Sequence, residues 1–197
     1  MPKPVDHALR KKAIVAESVR LFARMGYSAV NFGAIAKRCS VSRTLLYTYF
    51  KNKRAIFNEA IYEVTSRVEK KYTEVVHSPQ SADAKLRQIC ITVIAMLFDN
   101  RDFVCVIADV LAAYRRKGTI PVERIDRHTA GVRRIMAALV REAVRRGEYK
   151  GGTDPERVSE LLYSQFETAA MRIAITGRAE VSEAIDRLDT ILSPIRA

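Results

Sequence analysis

Within one short run, Ser42-Arg43-Thr44-Leu45-Leu46-Tyr47-Thr48-Tyr49, the chain gathers hydrogen-bonding groups of several kinds. Arg43 carries a planar fork of donors that suits a guanine edge or a phosphate, and the hydroxyls of Thr44, Tyr47, Thr48 and Tyr49 can meet bases, sugars or phosphates. Wound as a helix, the run turns Arg43, Thr44, Tyr47 and Thr48 outward. Leu46 and Phe50, four apart, then anchor the other side in a small core. A fully buried helix would not carry Arg43 and Thr44 beside its start. The chemistry on offer is recognition of a nucleic acid.

Other chemistries find little support. Cys39, Cys90 and Cys105 are odd in number and far apart, and His7, His77 and His128 are scattered. Neither set has the short repeated spacing of a zinc site, so no metal is expected, and the cysteines suit a reducing cytoplasm better than a disulfide framework. Cys90 and Cys105 read as small core residues. With no phosphate-cradling glycine loop and no nucleophile motif, no cofactor is expected, and a helical-bundle enzyme is the remote alternative. No stretch reaches the length of about 20 apolar residues that spans a bilayer, and no signal peptide is expected at the N-terminus.

Charge points the same way as the short run. The chain carries a net charge of +12, and residues 1–54 hold twelve Lys/Arg against Asp6 and Glu17 alone, so nearly all of the excess lies in the first quarter. Such polarisation makes one end attractive to a polyanion.

The elements that must position these residues read as helices throughout. A first helix runs from about Asp6 to Met25 with Ile14, Ser18, Leu21, Phe22 and Met25 on one face, and Gly26 ends it. Asn31 caps a second, Phe32 to Arg38, with Phe32, Ile35 and Ala36 inward. Cys39-Ser40-Val41 forms a turn, Ser42 caps the third helix, and Asn52 caps a long fourth one from Lys53 to about Val76. Further helices follow over about 81–99, 102–116, 121–146, 155–176 and 182–193. Two short helices joined by a tight turn and carried on a longer first helix form a helix-turn-helix.

At that point the residues are recognisable. The stretch Leu21-Phe22-Ala23-Arg24-Met25-Gly26-Tyr27, the pair Ile35-Ala36, and Val41-Ser42-Arg43-Thr44-Leu45-Leu46-Tyr47-Thr48-Tyr49-Phe50-Lys51-Asn52-Lys53 resemble the signature of the TetR family of transcriptional regulators. The resemblance covers about residues 10–57. It implies an all-α fold, with a helix-turn-helix head over residues 1–54 and a helical ligand-binding and dimerisation domain over 55–197. It also implies that Arg43, Thr44 and Leu45 reach base edges, that Tyr47 and Tyr49 meet the phosphate backbone, and that Lys53 meets a phosphate at the start of its helix. Asn31, Ser42 and Thr48 complete the expected DNA-binding set. Cys39-Ser40 stands where the family usually carries Ala-Gly, so this turn must tolerate a residue other than glycine.

For the remainder, Phe103 to Tyr114 is so apolar around Asp109 that it is expected to be buried nearly all round. Asp109 is then a rim carboxylate, a partner of an arginine or a ligand contact. By resemblance the bundle encloses a small-molecule pocket, for which Met96, Phe103, Ile107, Met136, Tyr163, Phe166 and Met171 are candidates beside Asp109. Such a lining would suit an apolar or amphipathic ligand. The last two helices are where the family forms a homodimer, with Leu161, Leu162, Phe166, Ala169, Ala170, Ile173, Ile185, Leu188 and Leu192 as interface candidates. The expectation is a cytoplasmic, ligand-released repressor on a palindromic operator. A DNA-binding protein with little sequence preference and no ligand is the alternative, because phosphate contacts alone also give affinity.

Overall fold

Side chains placed just before each apolar-periodic segment set where the helices begin. The computed structural model describes residues 6–115, 123–177 and 180–197. Among them the chain forms α1 (His7–Met25), α2 (Phe32–Arg38), α3 (Arg43–Tyr49), α4 (Lys53–Val76), α5 (Ala82–Asp99), α6 (Arg101–Arg115), α7 (Glu123–Arg145), α8 (Pro155–Thr176) and α9 (Val181–Leu192), then a short 3-10 turn, Ser193–Ile195. The described residues include no named strand, so the all-α expectation holds. Asp6, Asn31, Ser42, Ser81 and Asp154 each accept backbone N–H groups of the helix that follows, satisfying donors that have no partner in the first turn. Asn52 does the same for Ala55. The expected stop at Lys117-Gly118 and the start at Pro121 lie outside the described residues.

Two turns depend on left-handed backbone. Gly26 ends α1 at φ +79°, ψ 140°, a glycine region beyond the ordinary left-handed helical well. The turn after α2 is a Schellman motif: Val41 N–H donates to the Ala36 carbonyl and Ser40 N–H to the Lys37 carbonyl. The residue that must be left-handed there is Ser40, at φ +53°. A β-carbon in that conformation costs about 1–2 kcal/mol, which the turn's two hydrogen bonds offset.

The chain divides into two compact units. The first comprises Met1–Val64 and Asp102–Pro121, the second Thr65–Arg101 and Val122–Ala197. The unit that holds α1 to α3 therefore also takes in α6 and the first half of α4, and residue 54 lies inside α4. In this first unit Ile14, Val15, Phe22, Tyr27, Val30, Ile35, Leu46, Phe50, Ile56 and Phe57 are buried, and Tyr27 packs edge-on to Phe22 at 5.1 Å and against Phe57 at 5.5 Å. Met25, expected on the same face, is exposed at the last residue of α1. Phe32 is only half-buried; it stacks on Tyr47 at 4.7 Å instead of entering the core. Nor is α6 buried all round: Phe103, Val104, Val106 and Val110 are, whereas Cys105, Ile107 and Asp109 are half-buried and Leu111 is exposed.

The second unit is built from the rest of α4 with α5, α7, α8 and α9. Leu86, Ile89, Cys90, Met136, Val140, Leu162, Ile173, Leu188 and Leu192 make its core. A clasp closes one end. The Glu148 carboxylate accepts the N–H groups of Ala82 and Asp83 at the start of α5. Asp83 accepts the Tyr149 hydroxyl at 2.6 Å and the Arg196 guanidinium. An isolated antiparallel bridge joins Tyr149 to Arg196.

Candidate nucleic-acid interface

The third helix has only seven residues and cannot hold itself in water, so its neighbours must hold it. Leu46 is fully buried beneath it and Phe50 follows at its end. The Ser42 hydroxyl oxygen accepts the Leu45 N–H at 3.0 Å, and the Asn31 side chain accepts the Ala34 N–H at 2.9 Å. These two residues serve first as caps. Arg43, Thr44, Tyr47 and Thr48 are exposed, Leu45 and Tyr49 half-buried. The Thr48 hydroxyl donates to the Leu45 carbonyl of its own helix. Gly33 leaves room for the Asn31 cap: a β-carbon there would lie 3.3 Å from the Asn31 side-chain oxygen, and at an ordinary 3.9 Å from Arg43 Nε. Sequence reading passed over Gly33, whose spacing from Arg43 carries no periodic signal.

Around this helix Lys12, Arg24, Lys37, Lys51 and Arg54 are exposed. Other cations are engaged within the unit. Glu17 pairs with Arg20 and with Arg38, the latter at 2.9 Å, and Lys11 pairs with Glu59 at 2.6 Å. Burial and the nearby Glu17 carboxylate raise the Cys39 thiol above its ordinary pKa, so it stays protonated at neutral pH.

Lys53 departs from expectation. Its ammonium donates to the carbonyls of Tyr27, Ser28 and Val30 at 2.7, 3.1 and 2.8 Å, and it sits 4.7 Å over the Tyr27 ring. An ammonium has three N–H groups. Its bonds to the loop between α1 and α2 give the lysine a positioning role there, beside the phosphate contact expected of it. The same loop is gripped from a second side: Asp109 Oδ2 of α6 accepts the Tyr27 N–H at 2.6 Å. Asp109 is thus bound to backbone within its own unit, and no arginine is paired with it among the described residues. Tyr49 also has a partner, its hydroxyl lying 2.8 Å from His7 Nδ1.

The other candidates scatter. Phe103 and Ile107 belong to the first unit, and Met96, Met136, Tyr163 and Phe166 to the second. Met171 is 59% exposed and lines no interior. Most interface candidates are already covered by the chain itself: Leu162, Phe166, Ala169, Ile173, Leu188 and Leu192 are buried in the second unit, and Ala170 and Ile185 are half-buried. Only Leu161 among them is well exposed. The exposed apolar stripe of α8 is Leu161, Met171 and Ile175, so both faces of this helix are apolar. A surface groove of about 490 Å³ at the end of α7 and the start of α8 is lined by Ala138, Arg141, Val144, Arg145, Thr153 and Pro155, none of them a ligand candidate.

Sequence reading also missed a polar cluster inside the second unit. Tyr72 of α4 is buried and stacks on His128 of α7, the ring centroids 6.1 Å apart and the planes 17° from parallel. Arg133 lies 4.1 Å over the Tyr163 ring, and the Tyr163 hydroxyl donates to Thr129 at 3.1 Å. Among the described residues no group of histidine, cysteine and carboxylate side chains is placed to hold a metal, and no helix is long and apolar enough to cross a membrane.

Comparison with known proteins gives a consistent result. Residues 14–60 match the family model described as bacterial regulatory proteins, tetR family, and residues 82–188, more than half of the chain, match the tetracyclin repressor-like C-terminal domain. A Bacillus subtilis (strain 168) protein, the uncharacterized HTH-type transcriptional regulator YhgD, is 31% identical over 67 residues, 34% of this chain and 35% of its own length. The match thus spans about a third of that relative. The fatty acid metabolism regulator protein of the same organism is 22% identical over 155 residues, 78% of each chain. A TetR transcription regulator from Haloarcula marismortui superposes with a TM-score of 0.79 at 16% identity, covering 96% of this chain and all of the other, which shows the shared fold.

Proposed function

The chain belongs to the TetR family of bacterial regulatory proteins, and on that premise we propose that it works in the cytoplasm as a two-fold dimer that represses transcription from a palindromic operator until a small molecule releases it. The surface of α3 carries this reading. Arg43, Thr44, Tyr47 and Thr48 stand exposed on a helix capped at its start and anchored by Leu46, within the most basic part of the chain. A rigid frame bearing a guanidinium and hydroxyls suits a major groove, where Arg43 can read a guanine and the hydroxyls settle on bases and phosphates. The exposed stripe Leu161, Met171 and Ile175 supports α8 as the dimer face. The family resemblance and the likeness to a fatty acid metabolism regulator support an apolar or amphipathic effector. Release then needs a coupling free energy of about 1–3 kcal/mol between effector and DNA.

The decisive experiment is selection of the purified protein against a random duplex library at about 0.15 M salt. An inverted repeat is the expected outcome, with Arg43→Ala losing about 1–3 kcal/mol of discrimination at one base pair per half-site while retaining most of its salt dependence. Recovery of no motif, with affinity that disappears as salt rises, would instead establish a protein that reads phosphates alone.

A further inference from the structure

Two buried polar side-chain atoms among the described residues have no hydrogen-bond partner, the Tyr72 hydroxyl and Arg133 Nε, and both fall in the polar cluster of the second unit. They share neighbours. Tyr72 stacks on His128, and Arg133 lies five residues further along α7, over the ring of Tyr163. Tyr163 also lies close enough to Tyr72 to act on its hydroxyl. Tyr72 is 3% exposed, whereas Arg133 and Tyr163 are half-buried, so the cluster runs from the surface inward and ends at the phenol. Burial raises the Tyr72 hydroxyl well above its ordinary pKa, aided by the proximity of Cys90, Tyr163 and Glu69; it is a neutral donor at any ordinary pH.

A buried donor with no acceptor is destabilising, and such groups persist in native proteins where something else completes them. Both unpartnered atoms can donate, so what completes them brings an acceptor. Its charge follows from the surroundings. The Arg133 guanidinium is already matched to Glu160 at 3.5 Å and Glu167 at 3.9 Å, and His128 to Glu69 at 3.5 Å. An incoming carboxylate would meet three carboxylates and a guanidinium already committed to two of them. A neutral oxygen meets no such opposition. The apolar part of the guest has Phe166 to lie against, edge-on to Tyr163 at 6.0 Å.

We propose that the second unit binds an apolar molecule through an uncharged carbonyl oxygen, held by the Tyr72 hydroxyl and Arg133 Nε. This rests on the reading of the protein as a ligand-released regulator and names the chemical class of the ligand.

The test uses the full-length chain and two probes of equal length, methyl octyl ketone and decanoate. Binding is followed by calorimetry, and thermal unfolding is followed without ligand. The ketone is expected to bind at least tenfold more tightly than decanoate, and Tyr72→Phe and Arg133→Met each to lose about tenfold of ketone affinity, the worth of one hydrogen bond. Without ligand, Tyr72→Phe is expected to melt at the same temperature as the parent or higher, because it deletes an unsatisfied group. Preference for decanoate, binding of neither probe, or a lower melting temperature for Tyr72→Phe overturns the proposal. Operator release is scored separately. Ketone binding that leaves DNA bound would sink the ligand-released repressor and spare the site; operator recognition with no ketone binding would do the reverse.

Discussion

The two units differ in how completely their interior polar groups are paired. In the first, Lys53 has three carbonyls, Asp109 a backbone amide and Ser18 the carbonyl of Ile14. In the second, a phenol and a guanidinium nitrogen are buried without partners. Satisfied groups fix geometry, which a DNA-binding surface needs. Unsatisfied groups cost stability until something completes them. One unit is finished as it stands; the other is arranged to be completed.

Thiol labelling should separate the units most widely. Burial pushes the Cys90 thiol up to about 12, and Cys90 is fully enclosed, whereas Cys39 is half-exposed. Cys90 is expected to react with a disulfide reagent at pH 8 only through global unfolding, slower than Cys39 by a factor of about 1,000 or more. Comparable rates, read by peptide mass mapping, would mean that the second unit opens locally. The sign of the accompanying pH effect is fixed. The folded pKa lies above the unfolded value near 9, so the contribution of neutral Cys90 is complete below pH 9 and is lost as pH climbs towards 12.

Removing the lysine tests whether the first unit is as finished as it looks. Lys53→Met is expected to cost about 2–3 kcal/mol in urea unfolding, since it strips charge-assisted hydrogen bonds from three carbonyls. It should weaken binding to all duplexes while leaving the salt slope unchanged; a slope reduced by about one would return Lys53 to the phosphates. Asp109→Ala deletes one acceptor and is expected to cost about 1.5 kcal/mol, detected as faster hydrogen exchange at the Tyr27 amide. Smallest is Ser40→Gly, expected to gain about 0.5–1 kcal/mol by relieving the left-handed serine. A loss on that substitution would show that the turn draws more from the serine side chain than its backbone angle costs.

What could be read from sequence follows the range of each interaction. Caps, turns and helix ends are settled within three or four residues, so Asn31, Ser42, Asn52 and Gly26 are legible, and with them the all-α fold and the helix-turn-helix. Lys53 contacts residues 23 to 26 positions earlier, and Asp109 one that is 82 away. No periodicity reports such pairs, so from sequence Lys53 reads as a phosphate contact and Asp109 as a rim carboxylate, a partner of an arginine or a ligand contact. The faces of α8 escaped for another reason. Leu162, Phe166, Ala169 and Ile173 form one apolar stripe and Leu161, Met171 and Ile175 another, and a helix apolar on two sides does not announce which side the protomer keeps. Tyr72 and Arg133 gave no signal, because an unpartnered atom is defined only by what surrounds it.

The loop from Tyr27 to Val30, held between an ammonium from α4 and a carboxylate from α6, has a consequence for how the DNA-reading unit is assembled. Its first three helices come early in the chain, but one of the groups that fix their loop is not synthesised until residue 109. Closure over that distance is slow relative to local helix formation, so the geometry of the reading surface is completed late, after α6 has docked. An excised fragment ending at residue 54, or at 64, would retain every residue expected to touch DNA and still lack part of the frame that holds them. The recognition unit is compact in space without being a severable piece of the chain.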